Sequence, residues 1–316
     1  MTLLQAIILG IVQGLTEFIP ISSTAHLVLA GRVMDLPLSP QQTTASIAVI
    51  QLGTLLAVFI YFARDIWSIT RAFVGDHLAL LSGRKRVLPG GATSVALSRE
   101  AWLGWLVIIG SIPVGVVGLL FKEEIRGTFT KSLWVIATMM IFVGLLLGIA
   151  EMVGKKTRGM DDLGIGDALA IGAAQALSLI PGSSRSGSTI MAGLFAGETR
   201  ETAARFSFLL SMPAIAASGL LELKEALHSL PQSSLGALAV ATAVSAIVGY
   251  ASIWFLLRFL RTHTTGIFIG YRLILGTVIL ILLFSGRISP QNEPQSAPVN
   301  NPTVSTGPAS PGFQSN

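Results

Sequence analysis

Long runs of apolar residues separated by short polar stretches dominate this chain. Six of these runs are close to the ~20 residues that a helix needs to cross a bilayer. They cover about 43–63, 102–121, 132–152, 203–223, 235–257 and 267–285. The pattern therefore predicts an all-α polytopic membrane protein with six transmembrane helices.

Two further segments, about 1–40 and 164–200, are apolar but are broken in the middle by Pro, Gly and Ser. Irregular backbone at membrane depth is tolerated only where it is buried in protein or lines a wet cavity. We therefore expect each segment to form a re-entrant helical hairpin, which enters the membrane and returns to the same side.

The two broken segments resemble each other in sequence. Four identities relate residues 6–15 to residues 168–177 at an offset of 162. The pattern Ile-Pro-x-Ser-Ser then recurs at 19–23 and 180–184, at an offset of 161. One hairpin and three spans make up each repeat, and an odd number of spans inverts the next copy. The sequence thus predicts an inverted-topology repeat whose two hairpins meet near the membrane midplane.

The repeat defines the domain organisation. We expect one membrane domain over 1–285, with repeat 1 at about 1–152 and repeat 2 at about 164–285. Residues 286–316 are rich in Pro, Ser, Asn and Gln, with little aliphatic content. This composition is typical of a disordered C-terminal tail.

Composition supports the membrane interpretation. The chain is 52% hydrophobic and only 12% charged, whereas soluble proteins carry about 25% charged residues. The net charge of +5 indicates cytoplasmic loops rather than a nucleic-acid surface. Thirteen Lys and Arg residues would be cytoplasmic and six external if the N-terminus lies outside, which favours that orientation. The absence of cysteine excludes thiol nucleophiles, thiolate metal sites and disulfides.

The first broken segment carries polar residues that lipid would penalise. Its sequence LTEFIPISSTAH (15–26) contains Glu17, Ser22, Ser23, Thr24 and His26. Gln13 precedes Glu17 by four residues and shares its helix face. A carboxylate, a hydroxyl and a histidine can form either a base-activated nucleophile or a metal site with a proton shuttle.

The second broken segment carries LIPGSSRSGST (179–189), in which five hydroxyls surround Arg185 and Gly187. A helix restarting there would direct free N–H groups and its positive dipole end at the turn, and Arg185 matches phosphate oxygens. Gly187 would let the backbone approach a ligand closely. The alternative is that Ser183 or Ser184 only caps the helix. Five hydroxyls beside an arginine are more than a cap requires, so we expect an oxyanion site.

Together the two segments predict an acid–base set and an anion site that open on lipid. A charge at the bilayer centre costs roughly 2.5–3.5 kcal/mol, so Glu17 and Arg185 should pair, line water or bind a charged group. This chemistry suits a phosphorylated substrate with an apolar tail. The remaining histidines, His77, His228 and His263, are expected in solvated loops.

EFIPISSTAH (17–26), PGSSRSGST (181–189) and the Gln-x-x-x-Glu of Gln13 and Glu17 resemble the undecaprenyl-pyrophosphate phosphatases of the bacitracin-resistance type. The resemblance covers residues 1–285 and includes the pair Tyr271-Arg272. It implies a bacterial inner-membrane enzyme with a periplasm-facing site, which removes the terminal phosphate of undecaprenyl pyrophosphate to recycle the carrier lipid for peptidoglycan synthesis.

The resemblance also implies site residues and a cofactor. By position, Glu17 matches the principal acidic residue, Ser23 and His26 the nucleophile or proton-transfer pair, and Arg185 the phosphate clamp. A divalent cation, Mg²⁺ or Ca²⁺, would bind Glu17 and Gln13, although many family members have a glutamate at the position of Gln13. The expected pyrophosphate-binding residues are Ser22, Thr24, Ser183, Ser184, Ser186, Gly187, Ser188 and Thr189.

Several alternatives stay open at this point. His26 either attacks phosphorus directly or activates Ser23 or a water molecule. A transporter or flippase of a phosphorylated lipid or anion is the rival function, because inverted repeats with broken helices are common in transporters. The expected partners are the lipid pyrophosphate and the bilayer, not nucleic acid. The oligomeric state is left open, with a homodimer among the options.

Overall fold

Helices account for most of the chain. The structure, a computed structural model, describes residues 1–36, 40–82, 86–87, 93–94, 97–126, 132–229 and 232–290. The helices are α1 (Leu3–Thr16), α2 (Ser23–Val33), α3 (Pro40–Tyr61), α4 (Ala63–Leu81), α5 (Arg99–Leu120), α6 (Lys122–Arg126), α7 (Leu133–Val153), α8 (Ile165–Ala176), α9 (Arg185–Phe195), α10 (Arg200–Ser229), α11 (Gln232–Leu260) and α12 (Gly266–Phe284). Two short antiparallel strands, β1 (Arg86–Val87) and β2 (Thr93–Ser94), pair between α4 and α5.

Six of the described helices are long and apolar enough to cross a membrane. These candidate spans cover Gln42–Tyr61, Arg99–Leu120, Leu133–Val153, Arg200–Lys224, Ser234–Leu260 and Gly266–Phe284. Each lies within three residues of a predicted span at both ends. The prediction of an all-α polytopic membrane protein is therefore confirmed. Most of the predicted tail, from residue 291 onward, lies outside the described residues.

Both broken segments form pairs of short helices. The first pair is α1 and α2, and the second is α8 and α9, in which a 3₁₀ turn at Leu177–Leu179 follows α8. Each break contains an Ile-Pro dipeptide. Proline cannot donate a backbone hydrogen bond and disfavours a helical conformation at the residue before it, so the helix ends at the break.

The second helix of each pair begins at a serine cap with an unusual backbone conformation. Ser22 has φ 77° and its Oγ accepts a hydrogen bond from Ala25 N, while Ser184 has φ 67° and accepts from Gly187 N. The two caps are 162 residues apart, so the offset of 161 used for these serines was wrong. We call the break between α1 and α2 the first turn and the break between α8 and α9 the second turn. The second turn has one more residue than the first between its proline and its serine cap. The additional residue is Gly182, which has φ 95°.

Close helix packing in the interior depends on glycine. A Cβ atom at Gly53 of α3 would lie 2.1 Å from the carbonyl oxygen of Thr242 in α11. A Cβ atom at Gly172 of α8 would lie 2.0 Å from the carbonyl oxygen of Gly110 in α5. Small residues let backbones approach at helix interfaces in membranes, where apolar burial alone gives little preference for protein over lipid.

The helix contacts are organised in corresponding pairs. The first broken pair packs through α1 on α11, and the second packs through α8 on α5. In the same way, α3 packs on α11 and α10 packs on α5, while α3 contacts α10 and α7 contacts α12. These contacts of the first half thus have counterparts in which the roles of the two halves are exchanged.

The stretch around His77, which we expected to be a solvated loop, forms helix α4. The expectation that His77 is solvated in this loop was wrong, because His77 accepts a hydrogen bond from Trp105 Nε1 at 3.0 Å and contacts the ring of Phe73. Helix α4 has exposed residues along one face and packs on α5 with the other. Its mixed composition concealed this amphipathic pattern in the sequence.

A network of charged residues links the segment between α7 and α8 with the turn between α9 and α10. Arg158 binds both carboxylate oxygens of Asp167, at 2.7 and 2.6 Å, and donates to the carbonyl oxygen of Ala196. Beside it, Glu198 is fully buried, and neither of its carboxylate oxygens has a hydrogen-bond partner among the described residues. Burial, reinforced by the negative charge of Asp167 and opposed by Arg158, raises the pKa of Glu198 to about 7.

We predict that replacing Gly172 by Ala destabilises the fold. The new Cβ atom would meet the rigid backbone of Gly110, and overpacking of this kind costs about 1–3 kcal/mol. Thermal unfolding in detergent measures the effect. Gly166→Ala is the control on the same helix, because a Cβ atom at Gly166 meets nothing within 4 Å, and this variant should melt at or above the wild-type temperature.

We also predict that Glu198 makes stability fall as the pH rises. In the unfolded chain the pKa of a glutamate is near its ordinary value of 4.5, whereas the pKa of folded Glu198 is about 7. The folded state therefore binds the extra proton between these values, and stability decreases across this window by about 3 kcal/mol. Melting temperatures of wild type and Glu198→Gln across this pH range should diverge. Glu100→Gln, at an exposed glutamate, should follow wild type throughout.

Candidate active site

The first turn builds a hydrogen-bonded cluster around one carboxylate. Glu17 forms the C-cap of α1 and is buried. Its Oε2 accepts hydrogen bonds from Nε2 of Gln13 at 2.8 Å and from Oγ of Ser23 at 2.7 Å. The spacing of four residues therefore brings Gln13 and Glu17 together as predicted, and the turn adds a serine hydroxyl to the carboxylate.

An ion pair joins this cluster to the second turn. The guanidinium of Arg185, the first residue of α9, contacts Oε1 of Glu17, and both side chains are largely buried. Of the three alternatives expected for these two charges, which were pairing, lining water or binding a charged group, the structure shows pairing. Removing one partner of a buried pair leaves an uncompensated charge, which costs about 3–5 kcal/mol.

The backbone amide groups at the start of α9 lie beside this ion pair. Ser184 caps the helix by accepting a hydrogen bond from Gly187 N at 3.1 Å, and the helical pattern starts with Ser188 N donating to the carbonyl oxygen of Ser184. The first amides of a helix lack intrahelical acceptors, and the helix dipole places partial positive charge there. Together with the guanidinium of Arg185, this end of α9 attracts an anion.

The predicted pyrophosphate-binding residues divide into two groups by exposure. Thr24, Ser184 and the catalytic candidates Ser23, His26 and Arg185 are partly exposed. The others are buried. Among these, Ser183 donates to the carbonyl oxygen of Ile180, Ser186 donates to that of Ile19, and Thr189 bonds with Ser207 Oγ at 2.6 Å. Ser22 is the cap of α2, and Ser188 Oγ has no partner among the described residues.

Gly187 has a structural reason for lacking a side chain. A Cβ atom there would lie 3.1 Å from Nη1 of Arg272 and 3.1 Å from Cβ of Ser184. The residue is buried, so the close approach that it permits is to these two side chains. The expected approach of a ligand to Gly187 stays a prediction.

Histidine 26 lies in the first turn of α2 and is held at both ring nitrogens. Its Nδ1 is 2.7 Å from the carbonyl oxygen of Ser22, and its Nε2 is 2.6 Å from the hydroxyl oxygen of Tyr271. The imidazole also stacks on the ring of Tyr271, with centroids 5.5 Å apart and planes 12° apart. Ser23 donates to Glu17 rather than to His26, so serine and histidine are not directly linked.

Arg272 of α12 holds the two turns against each other. It is fully buried, and each of its five hydrogen bonds goes to a main-chain carbonyl. These carbonyls belong to Pro20 in the first turn, to Gly182 and Ser183 in the second, and to Met139 and Met140 of α7. The site residues predicted from the sequence did not include Arg272, although an arginine well inside an apolar span was a usable signal.

A narrow cleft adjoins the ion pair. Glu17, Arg185 and Ser186 line one side, and Ser207 and Ser211 of α10 contribute hydroxyls from the other. These two serines gave no signal in the sequence, because isolated serines in an apolar span more often bond to a carbonyl of the preceding turn. Ser211 does so as well, through the carbonyl oxygen of Phe208.

The cluster also contains oxygen atoms that suit a hard divalent cation. The buried Oε1 of Gln13 has no partner among the described residues, and it lies beside the carboxylate of Glu17. Mg²⁺ is often held by one or two carboxylates together with substrate phosphates. Within the described residues, no group of three or more His, Cys, Asp or Glu side chains could hold a metal ion. These donors therefore fit an ion shared with a phosphate ligand better than one enclosed by protein.

Comparison with known proteins places this site in a family. A family model described as "Bacitracin resistance protein BacA" matches residues 6–278, which include both broken helix pairs. The chain belongs to this family. The match confirms the resemblance on which the sequence-based site prediction rested.

Relatives from distant bacteria match over nearly the whole chain. An "Undecaprenyl-diphosphatase" from Syntrophobacter fumaroxidans is 50% identical over 286 residues, which cover 90% of this chain and 98% of the relative. Another from Chlorobaculum tepidum is 46% identical over 299 residues, covering 92% and 100%. A third from Mycolicibacterium vanbaalenii is 45% identical over 292 residues, covering 92% and 99%.

We predict that Arg272→Met destabilises the protein strongly. The change leaves buried carbonyls of both turns unpaired, at about 1–3 kcal/mol each, and we expect a fall in melting temperature of about 10 °C or more. Arg272→Lys, which keeps three donors, should fall between this variant and wild type. Arg287→Met, at an exposed arginine just beyond α12, should melt like wild type. Equal melting of all three variants would contradict the role of Arg272.

Proposed function

We propose that this protein is an undecaprenyl-diphosphatase. It hydrolyses the terminal phosphate of undecaprenyl pyrophosphate and releases undecaprenyl phosphate and inorganic phosphate. The family match and the names of the relatives support this activity. The observation in the structure that favours it most is the buried pair of Glu17 and Arg185, which places a base and a phosphate-binding cation at the junction of two broken helices.

The product explains the link to bacitracin in the family description. Undecaprenyl phosphate is the carrier lipid that peptidoglycan synthesis reuses, and its regeneration would confer bacitracin resistance. We further propose that the protein resides in the bacterial inner membrane with its N-terminus outside and its site open to the periplasm. The distribution of Lys and Arg supports this orientation.

We propose that the two broken pairs are re-entrant hairpins in an inverted repeat. The exchanged helix contacts of the two halves support this arrangement, as do the two serine caps 162 residues apart. Both turns are joined through Arg272 and through the ion pair. A lipid pyrophosphate could then reach the site laterally with its polyprenyl tail still in the membrane.

Arg185 couples substrate binding to activation of the Ser23 hydroxyl. Its guanidinium neutralises Glu17 in the structure, and a phosphoryl group at the start of α9 would compete for the same donors. Transfer of Arg185 from carboxylate to phosphate leaves Glu17 a stronger base. Glu17 is also the acceptor of the Ser23 hydroxyl proton, so binding of the anion prepares the neighbouring hydroxyl for deprotonation.

This geometry favours Ser23 as the nucleophile. Its Oγ would attack the terminal phosphorus as its proton passes to Glu17, and the bond from that phosphorus to the bridging oxygen would break, releasing undecaprenyl phosphate. Water would then hydrolyse the phosphoserine. Direct attack by His26, or by a water molecule that it activates, is the alternative. Acid-stable phosphoserine and acid-labile phosphohistidine distinguish the two covalent routes in a rapid-quench experiment.

The expected Mg²⁺ or Ca²⁺ ion would be held by Glu17 and by Oε1 of Gln13. Such an ion neutralises phosphate charge and orients the pyrophosphate. The residues of the chain bind and orient the substrate independently of this contribution, through Arg185, Ser184 and the amides of α9. Removal of divalent cations with a chelator should lower the rate, and readdition of Mg²⁺ or Ca²⁺ should restore it.

We predict that purified protein in detergent releases phosphate from undecaprenyl pyrophosphate and that single changes in the cluster abolish this activity. Glu17→Gln, Ser23→Ala and Arg185→Gln should each lower kcat/KM by about 10²-fold or more. They remove, respectively, the proton acceptor, the nucleophile and a hydrogen-bond donor to the phosphate. His26→Gln should also be strongly impaired. His228→Gln, at the exposed end of α10, is the matched control and should retain wild-type activity.

Transport of a phosphorylated lipid is the competing outcome of the same experiment. Folded wild-type protein that binds the substrate without releasing phosphate would overturn the proposed hydrolysis and support a carrier. Full activity of Ser23→Ala would instead leave hydrolysis standing and exclude the serine as nucleophile.

A further inference from the structure

The two ring nitrogens of His26 contact the carbonyl oxygen of Ser22 and the hydroxyl of Tyr271. The carbonyl oxygen of Ser22 lies 2.7 Å from Nδ1 and can only accept a hydrogen bond, so Nδ1 carries the proton. Nε2 of the neutral ring is then an acceptor. The hydroxyl of Tyr271, 2.6 Å away, donates to it.

The position of Tyr271 is fixed by its neighbour in the chain. Arg272 is anchored by five main-chain carbonyls from both turns and from α7, so α12 cannot slide or rotate without breaking these bonds. Tyr271 is 43% exposed and contacts His26 of α2. Two consecutive residues of α12 therefore contact the site: Arg272 binds the turns and Tyr271 contacts His26.

We propose that Tyr271 is a positioning residue for His26. Its ring supports the imidazole by stacking, and its hydroxyl holds Nε2 as a hydrogen-bond acceptor at the open side of the site. The partial exposure of Tyr271 lets a water molecule or a substrate oxygen take the place of the hydroxyl without any movement of Arg272. The part of this inference that concerns catalysis rests on the proposed hydrolase function, whereas the contact itself does not.

The contact also bears on which group attacks phosphorus. The Nε2 lone pair is occupied by the phenol hydrogen, so His26 is engaged before substrate arrives. Ser23, in contrast, already donates to a carboxylate. Attack on phosphorus and proton abstraction from water both require this lone pair, so His26 can act in either way only after the hydroxyl of Tyr271 is displaced, and the resting geometry favours Ser23 as the attacking group.

Nitrogen NMR tests the contact without any assay of activity. The chain has four histidines, so ¹⁵N-histidine labelling gives few signals, and His26→Gln assigns those of His26 by difference. We expect one proton-bearing nitrogen and one acceptor nitrogen in wild type. In Tyr271→Phe, which keeps the ring but lacks the hydroxyl, the acceptor signal should move toward that of a free imine nitrogen. Tyr250→Phe, on α11, is the matched control and should leave it unchanged.

Kinetics with undecaprenyl pyrophosphate tests the consequence for catalysis. Loss of one positioning hydrogen bond should lower kcat of Tyr271→Phe about tenfold with little change in KM. Tyr271→Leu, which also loses the stacked ring, should be more impaired, while Tyr250→Phe should match wild type. Melting temperatures identify any variant whose defect is one of folding, and Tyr271→Phe should melt like wild type.

The outcomes separate this inference from the proposed function. An unchanged Nε2 signal in Tyr271→Phe overturns the contact. A shifted signal with wild-type kcat overturns the positioning role. If the signal shifts in Tyr271→Phe but wild-type protein releases no phosphate, the contact is supported and the proposed hydrolase function is overturned instead.

Discussion

A helix that is broken inside an apolar medium leaves main-chain carbonyls without partners, and the architecture of this site depends on how they are satisfied. Arg272 supplies donors to three carbonyls of the two turns and to two of α7. The carbonyl dipoles stabilise the positive charge of Arg272, so its guanidinium is buried without a carboxylate partner. This leaves Glu17 and Arg185 to pair with each other, at a place where phosphate can compete for the arginine.

Hydroxyl groups in this protein serve two purposes that the sequence does not distinguish. Buried serines and Thr189 complete the turns by bonding to carbonyls or to Ser207. Ser23 and Ser184, which are partly exposed, lie beside the carboxylate and at the end of α9. A rigid scaffold of satisfied polar groups thus surrounds a small number of groups that are free to change partners, which is the arrangement that catalysis by preorganised dipoles requires.

The sequence was informative where a local rule governs the structure. Length and hydropathy located the six spans and proline located the two breaks. The cost of buried charge predicted that Glu17 and Arg185 would pair, line water or bind a charged group, and they pair. It was less informative where distant segments meet. The contact of Tyr271 with His26 joins residues 245 positions apart, and Ser207 faces the site only because of how α10 packs on α9. The register of the second turn was also misjudged, because its extra residue separates the cap from the proline.

The bond between Glu17 and Arg185 has a consequence for how the chain is made. The two partners are 168 residues apart in sequence, and ribosomes add about 5–20 residues per second. Glu17 therefore emerges roughly 8–34 seconds before its counter-charge exists. During this interval Glu17 lacks the arginine that balances its charge in the folded protein, so its ionised form is disfavoured in an apolar environment. The order of synthesis thus means that the second half of the chain supplies the counter-charge that the first half lacks.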